Sequence, residues 1–175
     1  MRRNLSLALL ASVVVAFSAG SARAATVYFD ILLDGLQETP PIATPAFGDG
    51  TLTLDDATGD YTISGNFYDL LGVSNNAHIH GPAAIGAGPA GVVVGLTFDI
   101  GVSTGTYSGA GTFTALQMAD LLDELYYVNI HSSVHGGGEI RGQILVSPIP
   151  EPSSALLVGL GLAAVAAAAR RRGRA

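Results

Sequence analysis

Through the middle of the chain apolar and polar residues alternate in short runs, the period of strands with one buried and one polar face. These runs are Thr26 to Leu33, Gly50 to Leu54, Asp60 to Phe67, Ala77 to His80, Val92 to Phe98, Thr106 to Phe113, Tyr126 to His131 and Glu139 to Val146. Turn-forming segments such as Asp55-Asp56-Ala57-Thr58-Gly59-Asp60 and Gly136-Gly137-Gly138 separate them, and strands at this spacing predict a mainly β fold, one antiparallel sandwich or barrel. From Thr114 to Glu124 the period changes: Leu116, Ala119, Leu122 and Tyr126 fall near helical spacing. Thr114 and Gln117, three residues apart, suit a capping box, so one short helix is expected there. No longer repeat is visible, which argues against a solenoid or propeller.

The two ends carry a different pattern. Arg2 and Arg3 precede an apolar run from Leu5 to Phe17, and Ala22-Arg23-Ala24 follows. Small residues at Ala22 and Ala24 complete a secretory signal peptide over residues 1–24, to be cut by signal peptidase after Ala24. At the other end, Pro150-Glu151-Pro152 leads into an uncharged apolar stretch from Ala155 to Ala169 and then Arg170-Arg171-Arg172-Gly173-Arg174. As a helix that stretch is roughly 22 Å long, a marginal transmembrane segment that needs its flanking serines and snorkelling arginines to cross a core of about 30 Å. The arginines hold the C-terminus inside, which leaves the middle of the chain outside.

The Pro-Glu-Pro triplet, weak apolar helix and arginine cluster resemble the bacterial PEP-CTERM sorting signal. That resemblance implies processing by an exosortase near residues 150–152, after transient anchoring in the inner membrane by the C-terminal helix, and release to the cell surface or an extracellular exopolysaccharide matrix. Residues 148–175 are thus a sorting signal, and residues 25–147 are left as one domain, of a length that builds a single core.

Within 25–147 stand ten Asp and three Glu against a single base, Arg141, for a net charge of −12, although the whole chain carries only −6. Such a surface repels nucleic acid and anionic lipid and attracts cations. There is no cysteine, which excludes disulfides, cysteine nucleophiles and thiolate zinc sites.

All four histidines lie in two motifs, Ala77-His78-Ile79-His80-Gly81-Pro82 and Tyr127-Val128-Asn129-Ile130-His131-Ser132-Ser133-Val134-His135. On a strand His78 and His80 share one face while Ile79 turns to the other; likewise Asn129 and His131 oppose Val128 and Ile130, and Glu139, Arg141 and Gln143 oppose Ile140 and Ile144. If the three strands are neighbours, these polar residues form one constellation. Two readings of it stand. His78, His80 and His131, with His135 as a fourth, form a copper or zinc site backed by Asn129, Glu139, Arg141 and Gln143; or the same groups form a buried hydrogen-bond network that fixes strand register.

The segment Leu33-Asp34-Gly35-Leu36-Gln37-Glu38-Thr39-Pro40, the His-Ile-His-Gly-Pro element, and the closing Tyr-Val-Asn-Ile-His with Gly138-Glu139-Ile140-Arg141-Gly142-Gln143 resemble the CHRD domain, the module of chordin and of bacterial exported proteins. The resemblance implies a β fold and little about function.

No Gly-x-Ser-x-Gly elbow, Walker loop, zincin helix or dinucleotide turn is present. The acids cluster in turn-like segments rather than as a catalytic pair, which argues against a glycosidase. The expected function is therefore a non-catalytic binding or structural module at the cell surface or in the matrix. A matrix polysaccharide or another surface protein is the kind of partner such a location offers, and no nucleic acid is expected. The alternative is an exported copper- or zinc-binding protein, one version of it resembling superoxide dismutase.

Overall fold

The computed structural model describes residues 25–148 and 159–162. Among these residues nine strands form one antiparallel sheet: β1 (Thr26–Asp34), β2 (Phe47–Asp55), β3 (Asp60–Tyr68), β4 (Ser74–His80), β5 (Val92–Gly95), β6 (Thr97–Phe98), β7 (Gly105–Thr112), β8 (Tyr127–Ser132) and β9 (Ile140–Val146), in the order β5-β4-β8-β9-β1-β2-β3-β7-β6. The signal-peptide segment and all but Gly159–Leu162 of the C-terminal apolar stretch lie outside the described residues; those four are helical. Among the described residues no helix is long and apolar enough to cross a membrane.

The two outermost strands, β5 and β6, are halves of the run Val92 to Phe98 that the alternation treats as one strand. Only Leu96 separates them: Val92–Gly95 pairs with β4, and Thr97–Phe98 pairs with β7. Leu96 is buried and its N–H donates to the Ala77 carbonyl at 2.9 Å. A Cβ at Gly109 would come within 2.9 Å of the Leu96 side chain, so the missing side chain there makes room for the bend. One bent segment thus joins both edges and curls the sheet into a nearly closed barrel, which removes the exposed edges that invite aggregation.

Alternation fills the interior as expected. Phe29, Ile31 and Leu33 of β1, Leu52 and Leu54 of β2, Ile63 and Phe67 of β3, Ile79 of β4, Val128 and Ile130 of β8, and Ile140 and Ile144 of β9 are all buried in one core. Each such side chain contributes about 1.5–3 kcal/mol through its burial. The helix α1 (Ala115–Leu122) forms with the capping box intact, Thr114 Oγ1 accepting from Gln117 N and Gln117 Oε1 from Thr114 N. Its buried face differs from the expected one. Leu121 is fully buried and Met118 packs on the core, whereas Leu116 and Leu122 are exposed. The apolar residues allow two stripes a fraction of a turn apart, and tertiary packing selects the one containing Met118 and Leu121.

Strands β8 and β9 are buried on both faces, every residue from Tyr127 to Ser132 and from Ile140 to Ile144 being covered. The core covers one face. The other, which carries the polar residues, lies under the β1–β2 and β4–β5 loops: Arg141 Nη1 donates to the Ala87 carbonyl at 3.0 Å, and Gln143 N donates to Gln37 Oε1 at 3.2 Å.

Candidate metal centre

Strand order alone brings the polar motifs together, because β4, β8 and β9 are consecutive neighbours. Register then sets them in rows. His78 faces Asn129, which faces Arg141; His80 faces Tyr127, which faces Gln143; His131 faces Asn76. The ligand nitrogens of His78, His80 and His131 lie within 4.8 Å of one another.

The hydrogen bonds of these rings fix which nitrogen is free. His80 Nδ1 lies 2.9 Å from the Ala90 carbonyl and His131 Nδ1 lies 3.0 Å from the Gly136 carbonyl. A carbonyl only accepts, so both Nδ1 atoms carry the proton and both Nε2 atoms present lone pairs. His80 Nε2 is buried with no partner. His131 Nε2 faces His78 Nδ1 at 3.2 Å, close to the spacing of about 3.3 Å that two nitrogens at about 2.05 Å take on one tetrahedral zinc. The third ligand nitrogen, from His80, lies within 4.8 Å of the other two. Burial, with His131 and His80 close by, holds the His78 ring below its usual pKa. His131 is also held low by burial, the Gly136 bond pulling against it and His80 adding to it. Both shifts favour the neutral imidazole, the form that binds a metal.

His78 keeps the cluster accessible. It is only half-buried, and its partner on β5 is Gly95, where a side chain would meet open space. His80 stacks on Tyr127 with the ring planes 9° apart, and the Arg141 guanidinium sits 3.5 Å from the centre of the same Tyr127 ring. Tyr127 thus holds the imidazole on one strand and the cation on the next.

Three expected members do other work. His135 is not brought to the cluster; it lines a separate cleft with Glu38, Pro40 and Gly138. Glu139 reaches no histidine of the cluster. Its Oε1 accepts from Thr44 Oγ1 at 2.6 Å and from Leu71 N at 2.7 Å, and its Oε2 from Ser132 Oγ at 2.5 Å. Burial pushes this carboxyl up, but those bonds together hold it below its usual value. Gln143 Nε2 donates to the Ala83 and Glu124 carbonyls and secures loops rather than the rings. Asn129 lies beside the cluster with its Oδ1 buried and unpartnered.

Sequence reasoning assigned no role to Tyr127 or Glu38. Tyr127 was accessible to the i, i+2 rule, since it shares a face with Asn129 and His131. Glu38 stood in the quoted Leu-x-Gly-x-x-Glu segment, but only the loop geometry places it against Asn129. A Cβ on Gly138, at φ 126°, would collide with both the Asn129 amide and Glu38 Oε1. Glu38 is 7 % exposed, and burial pushes its carboxyl up to about 7, opposed by Arg141, the Thr39 backbone and Asn129. An acid with a raised folded pKa contributes stability below its unfolded value near 4.5 and loses that contribution as pH rises through about 7. Glu38→Gln should accordingly gain on the wild type between those pH values by an amount on the order of 1–3 kcal/mol, then hold a constant advantage. Melting curves from pH 4 to 9 check this; a pH-independent difference would contradict it.

Comparison with known proteins adds two findings. Residues 148–172 match the PEP-CTERM protein-sorting motif, which marks the chain for export and exosortase processing. Searches among curated proteins and solved structures gave no match. The CHRD domain model matches residues 29–144, from the first core residue of β1 to the last of β9 and well over half of the chain. By that match, and by the β barrel that carries the motifs, the chain belongs to the CHRD domain family.

Proposed function

We propose that this exported protein is a non-catalytic binding module, displayed at the cell surface or released into the extracellular matrix, whose domain holds one copper(II) or zinc ion on His78, His80 and His131. One observation carries this reading. Two of the three rings spend their Nδ1 protons on backbone carbonyls, which leaves His131 Nε2 facing His78 Nδ1 at 3.2 Å and His80 Nε2 buried with its lone pair unmet. Metal-bound histidines are oriented this way, the second nitrogen anchored to a carbonyl or carboxylate. A network built only for register has no use for the unpartnered, buried Nε2 of His80, which costs stability unless something meets it. Imidazole donors suit copper and zinc and not calcium. The acidic domain raises the local concentration of cations around the half-exposed His78.

The test is metal content. Purified protein loaded with one equivalent of copper(II) or zinc and then desalted should retain close to one ion per chain. His131→Ala should bind at least about tenfold more weakly while keeping its circular dichroism. Retention that is equal in the two proteins, or absent from both, would sink the reading.

A further inference from the structure

A second cavity, independent of the metal reading, lies across Arg141 from the histidines. It encloses about 290 Å³ between the β1–β2 and β4–β5 loops; Leu36, Pro41 and Ile85 form its apolar walls, and Glu38, Arg141 and Gln143 its polar side. Most polar groups there are already committed. Gln37 donates to the Leu32 carbonyl and accepts from Gln143 N, and the Gln143 amide donates to two backbone carbonyls. Two atoms are not. Glu38 and Arg141 line the cleft while only 7 % and 2 % exposed, and one atom of each, Glu38 Oε1 beside Gly138 and Arg141 Nη2, is covered by protein with no hydrogen-bond partner, so that a ligand reaches them only as the side chains turn toward it. One is an acceptor and the other a donor, and each forfeits on the order of 1–3 kcal/mol while unmet.

We propose that this cleft binds a neutral sugar residue, with hydroxyls bonded to Glu38 and Arg141 and the ring's C–H face laid on Leu36 and Ile85. A hydroxyl donates and accepts at once, so adjacent hydroxyls meet the carboxylate and the guanidinium together. A carboxylate ligand would satisfy Arg141 alone and would face Glu38 inside a domain of net charge −12. A cationic ligand would face Arg141. Leu36 and Ile85 stand at the mouth 76 % and 66 % exposed, as apolar surface with no core role. The volume is at the small end for ligand sites, which fits one sugar unit rather than a larger molecule.

Saturation-transfer NMR on the full chain, purified without glycoside detergents, tests this with glucose, galactose, mannose, maltose, cellobiose and glucuronate as probes. At least one neutral sugar should receive saturation and bind in the millimolar range. Leu36→Asp, a change at an exposed rim position that leaves the fold alone, and Glu38→Gln should each weaken it about tenfold or more. Transfer to none of the sugars, preference for glucuronate, or binding that both variants leave unchanged would overturn the proposal. A chain that binds sugar but retains no metal would separate this site from the histidine centre.

Discussion

Saturating zinc or copper(II) should raise the melting temperature of the protein by roughly 10 °C, and a chelator should reverse the rise completely. An ion that binds only the folded chain and is supplied at a hundred times its dissociation constant stabilises by about 2.7 kcal/mol. In a domain of this size each kcal/mol moves the midpoint by about 3–5 °C. The ligands come from β4 and β8, which are adjacent in the sheet but 51 residues apart in the chain at their nearest, His80 and His131. The unfolded chain therefore cannot hold the ion as the barrel does, and nearly all the binding energy appears as folding energy. A melt that does not move on loading or chelation would leave the three rings as a register-fixing network. In that case His131→Ala would still cost on the order of 1–3 kcal/mol, because His78 Nδ1 and the Gly136 carbonyl would lose their partner.

Glu139→Ala should be the most damaging single change to stability outside the core, costing about 3–5 kcal/mol. Three separate parts of the chain converge on this carboxylate: the Thr44 hydroxyl from the β1–β2 loop, the Leu71 N–H from the β3–β4 connection and the Ser132 hydroxyl at the end of β8. Truncation leaves one buried and two partly buried donors unmet, at about 1–3 kcal/mol each before relaxation and solvation. Its pH dependence has a fixed sign. The folded pKa is depressed, so the contribution is present above the ordinary carboxylate value and is lost as pH falls through the folded one. Urea melts at pH 7 and pH 3 should therefore show a gap between wild type and variant that shrinks in acid. A constant gap would show that the loss comes from packing instead.

How far the sequence spoke depended on period and range. Alternation at spacing two assigned Ile79, Val128, Ile130, Ile140 and Ile144 to the core, and their polar neighbours to the opposite face, because a strand has no other way to place them. It placed the helix and its cap through Thr114 and Gln117, since capping is a local contact. It misjudged the run Val92 to Phe98, whose bend at Leu96 depends on the room left at Gly109 on a strand it meets only after folding. It allowed for burial of the polar face of β8 and β9 but not for what covers it. The loops that bury Arg141 and Glu139 come from residues 35–46, 69–73 and 81–91, and no local pattern announces that cover. His135 joined the site residues by its nearness to His131 in sequence and Glu139 by its face of the last strand, but His135 lines a separate cleft and Glu139 is taken up by Thr44, Leu71 and Ser132.

Electron paramagnetic resonance of the copper(II)-loaded protein tests the central claim most directly, because it reports the donor atoms themselves. One equivalent should give a single type of site with nitrogen superhyperfine splitting from histidine. That spectrum should collapse to weakly held copper in a chain carrying His78→Ala, His80→Ala and His131→Ala together, yet persist in His135→Ala. A spectrum dominated by oxygen donors, or one that survives loss of all three rings, would contradict the assignment of His78, His80 and His131 as a metal centre.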